Sequence, residues 1–138
     1  EEQPGGENGL TGPTFNLTPN GVLGPNENPD GADVKVSPYL NIAEGQKITF
    51  TFKGFDDSNN PIEAATYVAT RKLDEVDVVQ GHVFTVPKIN TLLICTGFAE
   101  ASYTVDPVEG SNQSAANSTV TRVVVHMLKP TDFTCLSR

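Results

Sequence analysis

The stretch "KITFTFKG", residues 47 to 54, alternates strictly, with Ile48, Phe50 and Phe52 on one side and Lys47, Thr49, Thr51 and Lys53 on the other. A period of two belongs to an extended strand with one buried face and one wet face. Its β-branched and aromatic residues fit a pleated, half-buried surface. Gly54 and then "DDSNNP", residues 56 to 61, break the strand with residues whose side chains bond local backbone.

The pattern recurs on both sides of this strand. Upstream, "DVKVSP" alternates Val34 and Val36 against Lys35 until Pro38 stops it, which suits a short first strand at a sheet edge; "NIAEG" then supplies a turn at Gly45. Downstream, Ala65 to Leu73 resumes with β-rich residues. "VDVVQ" and Gly81 follow, and "HVFTVP" forms a strand that ends at Pro87. "KINTLLICTG" spaces Ile89, Leu92 and Leu93 three and four apart, a short helical crossover with Gly97 as its cap. "FAEASYTVDP" alternates Ala99, Ala101, Tyr103 and Val105 against polar neighbours. "EGSNQSAANS" reads as a polar loop, and "TVTRVVVHML" as a last strand, apolar on both faces at Val123 to Val125 and suited to the middle of a sheet. About seven strands, with turns roughly every ten residues, predict an all-β Greek-key sandwich.

Three segments follow. Residues 1–31 hold seven of the 12 glycines and five of the 10 prolines without a hydrophobic period, which predicts a flexible N-terminal arm or linker, with two short apolar pieces, Phe15 to Leu17 and Gly21 to Leu23, able to dock onto the domain. Residues 32–129 form the sandwich and residues 130–138 a tail. A length of 138 residues accommodates one domain of ordinary size.

Composition narrows the functional classes. With 9 basic against 17 acidic residues the formal charge is −8, and the longest basic run, Arg71-Lys72, is followed at once by Asp74, Glu75 and Asp77. Nucleic-acid partners require clustered cations, so none is expected. No apolar run approaches the roughly 20 residues of a membrane-crossing helix, and membrane insertion is not expected. The sequence starts at Glu1 with Met127 as its only methionine, as expected of a processed secreted chain or an excised fragment. Two cysteines, Cys95 and Cys135, either stand as independent thiols or pair. A bond between them closes a loop of about 40 residues, a stabilisation of roughly 4 kcal/mol by loop entropy, and implies an oxidising compartment.

The stretches "VKVSPYLNIAEGQKITFTFKG", "HVFTVPKINTLLICTG" and "ASYTVDPVEGSNQSAANSTVTRVVV" resemble the immunoglobulin-like repeats of large exported, adhesin-like surface proteins of proteobacteria. Pro38-Tyr39, Ala43-Glu44-Gly45, Phe52-Lys53-Gly54, Phe84 to Pro87 and Tyr103-Thr104-Val105 fall in the order of that pattern, over about residues 20 to 128. Phe52 stands where the repeats usually carry Trp, and the two cysteines lie outside the pattern. The resemblance implies an immunoglobulin-like sandwich acting outside the cytoplasm, at the cell surface or in the periplasm, as a non-enzymatic adhesive or spacer module for a protein or glycan partner.

Candidate chemistry centres on the loop after the first strong strand. Asp56, Asp57 and Asn59 offer oxygens for calcium or for sugar hydroxyls, and Phe55 offers a ring on which a sugar stacks; this is the alternative, lectin-like reading. Against it, neighbouring side chains of an extended chain point apart, the EF-hand spacing is absent, and Asp, Ser and Asn before Pro serve any exposed turn. A metal would need help from Asp74, Glu75 or Asp77. His82 and His126 lack the Ser elbow of a hydrolase, and the His and Cys residues lack zinc spacing, so no catalytic residue and no cofactor is assigned. Tyr39, Phe55 and Tyr67 are the aromatic candidates for surface contact, whereas Tyr103 reads as structural. Asn16, Asn112 and Asn117 begin N-glycosylation-type triplets, the last two in surface loops.

Overall fold

The computed structural model describes residues 4–6, 9–24, 31–110 and 114–126. The described chain is a two-sheet β-sandwich with two short helices. Its elements are β1 (Thr14–Phe15), β2 (Val22–Leu23), β3 (Gly31–Val36), β4 (Lys47–Phe55), β5 (Pro61–Lys72), α1 (Glu75–Gln80), β6 (His82–Pro87), α2 (Lys88–Ile94), β7 (Thr96–Asp106), β8 (Ala116–Asn117) and β9 (Thr121–His126). The smaller sheet has the order β1-β3-β6; the larger runs β2-β9-β7-β4-β5, with β8 paired to β7. All pairings between these strands are antiparallel except β2 with β9.

The alternation in β4 buries Ile48, Phe50 and Phe52, and that in β7 buries Ala99, Ala101, Tyr103 and Val105. Across the gap, β3 and β6 contribute Val34, Val36, Phe84 and Val86. The two layers meet where Phe50 stacks on Phe84, ring centroids 4.8 Å apart and nearly parallel. Burying one such side chain is worth about 1.5–3 kcal/mol, so this central pair alone contributes several.

Several expectations need correction. Within the segment 1–31 expected as a flexible arm, the described residues dock: β1 pairs with β3, β2 pairs with β9, and Leu10 and Leu23 are buried in the common core. Glycine and proline there shape a path over the sandwich instead of preventing one. That docking also makes β3 an interior strand of its sheet, where an edge was expected. β9 is covered on its outer side only by the two-residue β2, and Val124 is 48% exposed, so its apolar run is not buried on both faces. "EVDVVQ" is a helix, because Asp74 accepts from the backbone N–H groups of Val76 and Asp77 while the Asp77 carboxylate accepts from the N–H of Asp74.

The crossover α2 ends at Cys95, whose N–H bonds Thr91 O, and Gly97 instead belongs to β7. Gly54 admits this helix: a Cβ there would stand 2.5 Å from Ile94 Cγ1, at the register shift between β4 and β5. Cys95 is not a free thiol. Its expected partner Cys135, with the tail 130–138, lies outside the described residues.

Candidate functional site

The loop between β4 and β5 is built around Asp56. Its Oδ1 accepts from the backbone N–H of Ser58 and of Asn60, both at 2.9 Å, and its Oδ2 accepts from the Asn60 side-chain amide at 3.4 Å. The backbone closes as well, with Asp56 N–H bonded to Asn60 O and Asn59 N–H to Asp56 O, while Asn59 takes a left-handed conformation at φ 68°. Asp and Asn supply this chemistry routinely in turns. The Asp56 carboxylate therefore faces its own loop.

Asp57 and Asn59 turn toward neighbouring strands. Asp57 Oδ2 accepts from the Thr96 hydroxyl at 2.9 Å, and Asn59 Oδ1 accepts from the Arg122 guanidinium. Arg122 also donates to Glu100 Oε2 at 2.6 Å and packs against Phe55 and Phe98, 5.1 and 4.5 Å from the ring centroids. These contacts follow from register: Phe55 pairs with Phe98, which pairs with Val124, while Glu100 pairs with Arg122. A cation over two rings and beside a carboxylate is a stabilising arrangement at a surface. The ring expected to stack on a sugar instead packs against Arg122, and Arg122 was not singled out from the sequence.

The four residues nominated as ligands thus lie close in the fold without forming a metal cage. Among the described residues no group of three or more His, Cys, Asp or Glu side chains is placed to hold a metal. Two of the acidic residues expected to assist, Asp74 and Asp77, are engaged elsewhere. Asp77 is buried, Arg71 donates to it through Nε at 2.9 Å and to Asp74 through Nη2 at 3.1 Å, and His82 Nδ1 lies 3.5 Å from Asp77. Burial pushes the Asp77 carboxyl upward, but the Arg71 hydrogen bond, the Asp74 N–H and the nearby cationic groups outweigh it and leave it below the ordinary carboxylate value.

The other aromatic candidates are structural. Tyr39 donates to Oε1 of the buried Gln46 at 2.6 Å, and burial, with the nearby Tyr103, drives its hydroxyl far above the ordinary tyrosine value. Tyr67 packs against the core. Asn117 lies in β8, not in a loop, where its side-chain oxygen accepts from the Thr104 hydroxyl at 2.7 Å; Asn112 lies outside the described residues. No described helix is long and apolar enough to cross a membrane.

Comparison of the chain with protein-family models, with curated proteins and with solved structures returns no match.

Proposed function

We propose that this chain is a non-enzymatic, immunoglobulin-like module of an exported bacterial protein, serving adhesion or spacing at the cell surface. One observation carries the choice between this reading and the lectin-like alternative: Asp56, Asp57 and Asn59 already have partners within the domain. A calcium ion would have to displace those contacts and find further ligands. What the domain offers a partner is then its exposed strands and edges.

The order of crossings supports the immunoglobulin-like part of the reading. Apart from the two-residue β2, which lies beside β9 in the second sheet, the chain places β1, β3 and β6 in one sheet and β4, β7 and β9 in the other, with crossings after β3, β5 and β6. That is the distribution of strands A, B, E and C, F, G in such sandwiches, with β5 extending the second sheet. The Cys95–Cys135 bond belongs to the same proposal, since it suits an oxidising compartment.

Fractionation of the native host with an antibody raised to residues 32–129 tests the reading. Recovery from the surface, periplasm or medium is expected, and confinement to the cytoplasm would overturn it.

A further inference from the structure

Among the described residues the larger sheet ends at β5, and one window of that edge is uncovered. Leu73 donates its N–H to Gln46 O, so alternate residues Arg71, Ala69 and Tyr67 turn their backbone groups to β4, while Val68, Thr70 and Lys72 turn theirs away from it. At the upstream end the window closes, because the Asn90 amide donates to Ala65 O at 2.9 Å and to Thr66 O at 3.3 Å. From Val68 to Lys72 the edge carries no proline, no bulge and no covering side-chain bond among the described residues. Of the devices that normally protect an edge, this window carries only the charge of Lys72, at one end.

Charge marks one end of this window. Lys72 lies directly opposite Lys47 on β4, on the same face, and both are exposed. Like charges opposite one another oppose pairing. No described carboxylate forms an ion pair with either lysine, in a chain whose net charge is −8. Both line a cleft of about 340 Å³ with Pro107 and Val108. Asp106 and Glu109 also line it, but Asp106 pairs with Lys47 on the side away from β5. A group arriving at the β5 edge therefore meets Lys72 first, Lys47 second and Asp106 only beyond them.

We propose that this edge binds an extended acidic peptide as an added strand. Its main chain exchanges hydrogen bonds with Val68, Thr70 and Lys72, an apolar side chain covers Val68, and a carboxylate sits between Lys72 and Lys47. The added strand runs antiparallel to β5, which places the acidic residues at its N-terminal end. The inference rests on the binding-module reading and names the partner's chemistry.

The probe is an acetylated, amidated hexapeptide, Glu-Glu-Thr-Val-Thr-Val, titrated into the isotope-labelled full chain and followed by backbone amide NMR, with a Lys-Lys-Thr-Val-Thr-Val control. Saturable shifts and exchange protection at Val68, Thr70 and Lys72 are expected with the acidic peptide only. Lys72→Glu weakens binding about tenfold or more. Thr70→Pro abolishes it, since the lost N–H faces the open edge. Equal binding of both peptides, shifts without protection at those three amides, or unchanged affinity in Lys72→Glu would each overturn the proposal, the last even if Thr70→Pro fails to fold. Loss of the edge result with surface display intact removes only this assignment, whereas cytoplasmic confinement removes the module reading and leaves the peptide result standing.

Discussion

The hydroxyl of Tyr103 donates a 2.8 Å hydrogen bond to the backbone carbonyl of Thr11, 92 positions earlier in the chain. Around it, Leu10 bridges Ser118, Gly12 N–H bonds the Thr119 hydroxyl and the Thr121 hydroxyl bonds Pro13 O. Burial pushes the Tyr103 hydroxyl up to about 12, so it stays a donor throughout the physiological range. Tyr103→Phe is expected to cost about 1 kcal/mol, the usual net worth of such a bond. Chemical denaturation checks this, together with faster hydrogen exchange at residues 10–13.

Removing residues 1–13 tests the same relationship more severely. The deletion takes away Leu10, 3% exposed, and uncovers the end of β7. A loss of about 2–4 kcal/mol in urea unfolding is expected from the buried side chain and the severed bonds together. An arm not packed on the sandwich would leave the midpoint unchanged.

At Gly97, φ is +148° and a Cβ would stand 2.1 Å from the carbonyl oxygen of Phe55. Gly97→Ala should therefore cost about 2–4 kcal/mol by thermal unfolding. Gly110→Ala, at φ +86° with nothing within 4 Å of its Cβ, should cost about 1 kcal/mol.

The Arg71–Asp77 pair sets an acid limit on stability. Asp77 titrates below its unfolded value, so its contribution is fully present above the ordinary carboxylate range near pH 4 and is lost as pH falls through the folded value. Asp77→Asn should flatten the stability profile below about pH 4 and weaken the protein at neutral pH, where Arg71 loses its buried partner. Urea midpoints measured from pH 2 to 7 on both proteins provide the check.

For the loop, the expected outcome is a melting temperature unchanged by millimolar calcium after chelator treatment. A native-state ligand at 100 times its dissociation constant would add about 2.7 kcal/mol and raise the transition by several degrees. Asp57→Ala should lose about 1 kcal/mol with the Thr96 bond, equally with and without calcium.

Period-two alternation made the body of the sandwich legible: Ile48, Phe50 and Phe52 in β4 and Ala99 to Val105 in β7 are buried as their spacing requires. Docking of residues 10–24 was harder to read because its strands have two residues each, too short for any period, and are held by distant partners such as Tyr103 and Val124. The α1 helix was hidden by its valines, and its signal was the Asp74 to Asp77 capping spacing. The loop from Asp56 to Asn59 was legible as a turn that carries ligand-type oxygens, but its anchoring depended on Thr96 and Arg122, brought in by β7 and β9. The open window of β5 could not be read from sequence at all, since it depends on where Asn90 falls against Ala65 and Thr66.

The central claim, a module displayed outside the cytoplasm, is tested most directly by treating intact cells of the native host with a membrane-impermeant amine reagent and mapping the modified lysines. Lys47, Lys53 and Lys72 are exposed, and labelling of these three on unbroken cells, or on protein in the medium, is the predicted result. Labelling that appears only after the inner membrane is broken, with intact cells, released periplasm and medium all unlabelled, would contradict the account.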